Sequence, residues 1–237
     1  MSRPRIAINF GPVSGSGRLV LGVLFVAGAL SCGLLTLIIS DRAAGRVQRL
    51  RPVGAAALMS SPPGTEVLIE AQLSDENPIL FEPYRFVAYV REGRSVWEDE
   101  GKWETGSWSE LERVTPPLLL DLAGSVVEIE NDDYELQDAY SVETGGIAGE
   151  PDDTRFTGLR AGEPILVVGT VLGGKEVGRV KAEFIAEGTQ ASYVSGQRGA
   201  GRIIAAASVV VALLGGAFLL REPLAALWAS RRDRARR

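Results

Sequence analysis

The stretch EPILVVGTVLGGKEVGRVKAEFIAEG, Glu163 to Gly188, decides the fold. Ile165 to Leu172 is an almost unbroken apolar run rich in β-branched residues, short for a helix and well suited to a buried strand. Gly173 and Gly174 then offer a turn, and Val180 to Ala186 reads as a final strand.

The same grammar runs upstream. TEVLIEAQL sets Val67, Ile69 and Ala71 against Glu66, Leu68 and Glu70, and RFVAYVRE sets Phe86, Ala88 and Val90 against Val87 and Tyr89. In PLLLDLAGSVVEIE two apolar runs meet at Asp121 to Gly124, which predicts a tight turn. SSPPG at Ser60 to Gly64 breaks any helix and opens the region. Nothing from Thr65 to Ser192 sustains a helical period. The expectation is therefore a mainly β domain over residues 64–195, a small barrel or sandwich of about seven or eight strands.

Two uncharged stretches flank this domain. Leu19 to Ile39 is 21 residues long and Ile203 to Leu220 is 18, which as helices cover about 31 Å and about 27 Å, close to a bilayer core. Both read as transmembrane helices. The alternative for the first is a cleaved secretory signal, since ALSC at Ala29 to Cys32 loosely matches a lipoprotein site. Against it, Ala29 stands where a larger aliphatic is expected, and the apolar run continues to Ile39. Arg42, Arg46 and Arg49 follow at helical spacing, so residues 40–63 read as a basic juxtamembrane helix and linker. Residues 1–18 and 221–237 are then short tails.

Charge is sorted along the chain. Residues 41–202 hold 16 basic and 28 acidic side chains, whereas residues 1–18 carry +3 and residues 221–237 carry +4. Nine arginines on the tails against six near the spans on the loop side predict cytoplasmic termini and an extracytoplasmic β domain in a two-span cell-membrane protein. So acidic a domain repels phosphates, and nucleic acid is not an expected partner. There is no histidine and only one cysteine, Cys32. His-based triads, Cys–His pairs, zinc fingers and internal disulfides are excluded, and no cofactor or metal is expected.

Candidate functional residues are correspondingly few. Trp97, Trp103 and Trp108 lie in a glycine-rich acidic hairpin region, either packing it or presenting a partner surface. Ala29/Gly33 and Ala212/Gly216 are small-xxx-small pairs that would let helices approach, within one chain or between copies. In the last tail, Trp228 with Arg231, Arg232, Arg234, Arg236 and Arg237 suits an interfacial anchor, with Pro223 in the first turn of its own helix. Two acidic loops, Glu130 to Asp138 and Gly149 to Thr154, read as solvated rather than calcium-binding, for they lack an EF-hand spacing. A histidine-free hydrolase would need a Ser–Lys pair or paired carboxylates, and the only lysines are Lys102, Lys175 and Lys181, each in a predicted turn or exposed strand. No intramembrane acid is present for an aspartyl mechanism.

The order of parts resembles the GIDE, or "beside a membrane", domain. The resemblance runs over about residues 15–222 and rests on the first span, the basic helix, the DLAG turn at Asp121 to Gly124, AGEPILVVGTV at Ala161 to Val171, and YVSGQRGAGR at Tyr193 to Arg202 leading into the second span. In the mitochondrial MULAN-type E3 ubiquitin ligase of that family a RING follows the second span. Here EPLAALWASRRDRARR occupies that place without one Cys or His, so two tetrahedral zincs have no ligands and the ligase step is not expected. The resemblance implies a non-enzymatic module that binds or organises membrane or envelope proteins, with the lipid bilayer and further copies of itself as other partners. An accessory role in membrane quality control, alongside a RING or protease from another chain, is the alternative.

Overall fold

The computed structural model describes residues 15–99, 102–145, 153–174 and 177–235. Ala44–Gly196 forms one compact unit, and the helical remainder forms another. The mainly β fold flanked by two long apolar helices is as the sequence predicts.

The first unit is built on a closed five-stranded barrel. Its strands are β1 (Glu66–Leu73), β6 (Leu118–Leu122), β7 (Ser125–Ile129), β11 (Pro164–Gly173) and β12 (Gly178–Glu187). The order runs β11-β1-β6-β7-β12, and pairing of β11 with β12 closes it; all neighbours are antiparallel except β7 and β12. Renumbered one to five along the chain, the barrel strands run 1-2-3-5-4-1, the topology of OB-type barrels.

The deciding hairpin accounts for the closure. Ile165, Val167 and Val171 of β11 join Val67, Ile69, Leu120, Val127, Ile129, Val180 and Ile185 in the main core. The intervening Leu166 and Val168 face the other way, yet they are also fully buried. They pack with Leu68, Phe184, Ala186, Ala44, Val47, Tyr193 and Val194 in a second cluster. Strand β11 is therefore apolar on both faces because helix ends cover its outer one. At the kink between Val168 and Gly169 the strands approach so closely that a Cβ at Gly169 would lie 2.4 Å from the Lys181 carbonyl oxygen.

The DLAG turn forms as expected. Ala123 and Gly124 both adopt positive φ, 53° and 84°, and the Gly124 N–H donates to Asp121 Oδ1 at 2.9 Å. The two residues join β6 to β7 in the manner of a type I′ hairpin.

Twelve strands are present among the described residues, more than the seven or eight expected. The surplus comes from two insertions in the barrel. The β1–β6 connection contributes β2 (Phe86–Arg94), β3 (Val96–Asp99), β4 (Lys102–Thr105) and β5 (Ser109–Val114); the β7–β11 connection contributes β8 (Glu135–Gln137), β9 (Tyr140–Gly145) and β10 (Asp153–Arg160). A second sheet, β5-β2-β10-β9, draws strands from both insertions, while β3 and β4 form a separate ribbon. Gly158 leaves room on this sheet for the Phe86 ring, whose atoms would lie 2.7 Å from an added Cβ. Phe86, Tyr89 and Phe156 make a small aromatic core there with Phe81 and Tyr84.

One expectation fails instructively. The acidic segment Glu130 to Asp138, read as a solvated loop, is largely structural. Asn131 Nδ2 donates to the Ala182 carbonyl at 2.8 Å, and the Ala182 N–H donates to Asn131 Oδ1 at 2.7 Å. Tyr134 is fully buried with its hydroxyl donating to the Pro116 carbonyl at 2.8 Å, and β8 then pairs parallel with β12. The second acidic segment, Gly149 to Thr154, lies mostly outside the described residues.

The helical unit contains most of α1 (Gly15–Arg49) and α3 (Gln190–Ala235); α2 (Ala55–Ser60) belongs to the barrel unit. Helix α1 continues past its apolar run through Arg49, as the spacing of its arginines predicts. Helix α3 runs unbroken through Pro223, so the tail has no separate helix of its own. It also begins at Gln190, inside the range 64–195 read as β.

Within the helical unit α1 and α3 run antiparallel at close range. An added Cβ at Gly33 would lie 2.6 Å from Ser208 Cβ, one at Gly201 2.9 Å from Ser40 Cβ, and one at Gly215 3.2 Å from a Val26 methyl. Each step of seven residues along one helix matches a step of seven back along the other, which is a heptad seam lined with small side chains. The same register sets Ile39, the last residue of the first apolar run, level with Arg202, the residue before the second. It likewise sets Leu21 level with Leu220. Two runs recognised separately by composition thus match to within two residues at both ends.

Candidate partner-docking surface

Two ties hold the helix ends onto the barrel. Arg46, in the last turn of α1, donates from Nε and Nη2 to Glu66 Oε1 (3.0 and 2.6 Å) and from Nη1 to Glu183 Oε1 (2.6 Å). The guanidinium holds the Glu183 carboxyl below its ordinary pKa, and the carboxylates raise that of Arg46 in turn. Gln190 opens α3 and caps α1 at once: its Nε2 donates to the Val47 and Leu50 carbonyls (2.6 and 2.8 Å) where the helix ends, the Val47 carbonyl also accepting from the Leu50 N–H at 3.2 Å. Its own N–H donates to Glu70 Oε1 at 2.7 Å. Thr189 and Ser192 complete a reciprocal cap, with the Thr189 N–H on Ser192 Oγ at 2.8 Å. Tyr193 stacks on Phe184 and donates to Gln137 Oε1 at 2.7 Å; burial pushes its phenol pKa up. Burial does the same more strongly for Tyr134.

The three tryptophans do not form one surface. The guanidinium groups of Arg94 and Arg155 each lie over the Trp108 ring, 4.6 Å from its centre. Those arginines are held in turn by Asp153 and Glu92, both with Nε–O distances of 2.9 Å. Trp108 is therefore a packing residue, a cation–π stack on the second sheet. Trp97 is 44% exposed on the β3–β4 ribbon. The register pairs Trp97 with Glu104 and Glu98 with Trp103, so positions 97 and 103 alternate across that ribbon; the Trp103 side chain lies outside the described residues.

A different apolar surface stands out on the barrel. Helix α2 lies over the start of β12, where Gly178 has no side chain and Leu58 fills the space; an added Cβ would lie 2.7 Å from Leu58 Cδ2. Beside this contact opens a cleft of about 310 Å³ lined by Ala55, Leu58, Met59, Val126, Val127 and Val177 among others. Leu58 and Val127 are buried, while Met59, Val126 and Val177 stand out at 40%, 49% and 38% exposure. Three large apolar side chains exposed around one concavity, on a domain rich in carboxylates, is the composition of a protein-docking site. Sequence reading passed over it, although two consecutive valines in SVVEI at Ser125 to Ile129 necessarily put one of them outside the barrel.

The remaining predicted residues are placed as follows. Gly33 and the buried Ala212 lie in α1 and α3 of the helical unit, and Ala29 is half-buried. Gly216 has nothing within 4 Å of an added Cβ; its neighbour Gly215 makes the close approach instead. Trp228, Arg231, Arg232 and Arg234 fall in the last turns of α3, where only the backbone is described, and Arg236 and Arg237 lie outside the described residues. Lys181 pairs with Asp133 at 3.5 Å on the surface, the Lys102 side chain is not described, and Lys175 lies outside the described residues. No cluster of three carboxylate or thiol groups suited to a metal occurs among the described residues.

Comparison with protein-family models, with curated proteins and with solved structures finds no match to this chain.

Proposed function

We propose that the chain is a membrane-anchored, non-enzymatic binding module that presents a β-barrel beside the bilayer and docks other membrane or envelope proteins on it. The observation that carries this reading is the apolar cleft at Met59, Val126 and Val177. In OB-type barrels ligands gather on the second and third strands and on the loop between the fourth and fifth. Val126 lies on the third barrel strand and Val177 on that loop. This is an analogy of position, and it agrees with the local chemistry. The excess of carboxylates favours a protein partner over a nucleic acid. The two apolar helices supply the anchor, and the arginine count supports cytoplasmic termini with the barrel on the opposite side. The resemblance to a GIDE domain without its RING supports the same class of role.

The test is a photo-crosslinking residue at Val126 in the full-length chain in its native membrane. A discrete crosslinked protein, lost when Met59→Asp is added, is the expected result. A RING protein or protease in that band would specify the quality-control role. Crosslinks indifferent to Met59→Asp, or none, would remove the docking assignment.

A further inference from the structure

We propose that the α1–α3 pair carries a phospholipid site selective for a phosphoethanolamine headgroup. It rests on the reading that these helices lie in a bilayer. Leu37, Ile38, Ser40 and Asp41 of α1 with Arg198 and Arg202 of α3 line a cleft of about 350 Å³. Its wall and rim differ in chemistry along the helix axis. Leu37 and Ile38 belong to the last turn of the apolar run, whereas Asp41, Arg198 and Arg202 lie at or just beyond its end. The heptad register sets Arg202 level with Ile39, so the polar rim stands where a bilayer changes from acyl chains to phosphates.

The rim carries both signs of charge. Arg198 and Arg202 are four residues apart and therefore share a face of α3. Arg198 Nε lies 3.4 Å from Asp41 Oδ1, and that carboxylate remains 71% exposed. Arg202 has no ion-pair partner among the described residues and no shielding acid on its own helix nearby. A phosphodiester fits against the two guanidinium groups, which suit phosphate through planar paired donors. A primary ammonium two carbons beyond the ester oxygen then meets Asp41. A choline headgroup offers no N–H to that carboxylate, and a glycerol headgroup offers no positive charge. The acyl chains lie along Leu37 and Ile38, whose flank is otherwise uncovered.

The experiment is native mass spectrometry of the full-length chain released from nanodiscs of equal phosphatidylethanolamine, phosphatidylcholine and phosphatidylglycerol. The expected result is one or two retained lipids, with phosphatidylethanolamine favoured about tenfold over phosphatidylcholine, as one added charge-assisted hydrogen bond implies. Asp41→Asn abolishes that preference while lipid remains bound, and Arg202→Gln lowers retention of every phospholipid. An unchanged far-ultraviolet circular dichroism spectrum and melting temperature of each variant show that the helix pair is intact. Retained lipid matching the bulk mixture, a preference for phosphatidylglycerol, or an Asp41→Asn variant with unchanged preference overturns the site alone. A chain that does not enter nanodiscs at all overturns the membrane reading and this site with it.

Discussion

Leu166 and Leu213 are the same residue type with opposite fates. Leu166, on β11, is fully buried between the barrel and the helix ends, whereas Leu213, on α3, is 68% exposed. The contrast extends to their surroundings. In the barrel unit apolar side chains fill two continuous clusters, and buried polar groups such as Asn77 and Thr115 are hydrogen-bonded. In the helical unit Leu24, Phe25, Leu34, Leu35, Ile203, Leu213 and Leu214 stand bare around both helices, with small residues reserved for the seam. An apolar surface of that extent is unstable in water and ordinary in lipid. On the membrane reading proposed above, one chain is fitted to two solvents, with the boundary at Asp41 and Arg202.

If the helix ends belong to the barrel, cutting the chain at different points should separate two fragments sharply. Residues 44–196 keep Ala44, Val47 and Leu50 over Leu68, Leu166 and Val168; residues 52–196 lose them while keeping Leu58 in the main core. We expect the shorter fragment to be less stable by about 4 kcal/mol, at roughly 1.5–3 kcal/mol per lost large apolar side chain, and to aggregate. Urea unfolding followed by circular dichroism checks this. Equal stability would mean the barrel is independent of its helix ends.

A smaller loss is expected within the barrel. Asn77 is buried, its amide nitrogen donates to the Ser74 and Leu119 carbonyls, and its oxygen accepts from the Leu119 N–H. Asn77→Ala orphans the Leu119 N–H and should cost about 2 kcal/mol, read from the same urea midpoint.

The ties at the helix ends are worth less, because they are partly exposed. Glu183→Gln should cost under about 1 kcal/mol. Its carboxyl titrates below the ordinary 4.5 when folded, so its contribution is complete above that pH and lost as pH falls through the depressed folded value. Wild type should accordingly lose its margin over Glu183→Gln only in acid, which a melting series from neutral pH downward would show.

The smallest effect runs the other way. Ala123 holds a left-handed conformation at the first position of its hairpin turn. Ala123→Gly or Ala123→Asn should stabilise the fold by about 0.5–1 kcal/mol, as a rise in melting temperature.

How much of this was legible follows from which forces act locally. The buried strand Ile165 to Leu172, the DLAG turn and the two apolar runs are read directly, since each depends on neighbours in sequence. The acidic segment at Glu130 to Asp138 misled because carboxylates dominate its composition, while its placement depends on Asn131 and Tyr134 reaching Ala182 and Pro116 across the fold. The tryptophans shared a composition but not a face, since strand register, which composition does not encode, separates positions 97 and 103 and carries Trp108 to another sheet. The docking cleft was illegible for the same reason: Met59, Val126 and Val177 come from a short helix, a strand and a loop that only barrel closure brings together.

The most direct test of the central claim is a scan of single cysteines along α1 and α3 in a Cys32→Ser background, labelled with a water-soluble maleimide in opened membranes. The account predicts two protected stretches that begin and end at matching levels, near Leu21 with Leu220 and near Ile39 with Ile203, with Arg42 and Arg198 positions freely labelled. Labelling throughout either helix, or protected stretches offset from one another, would contradict a membrane-spanning pair.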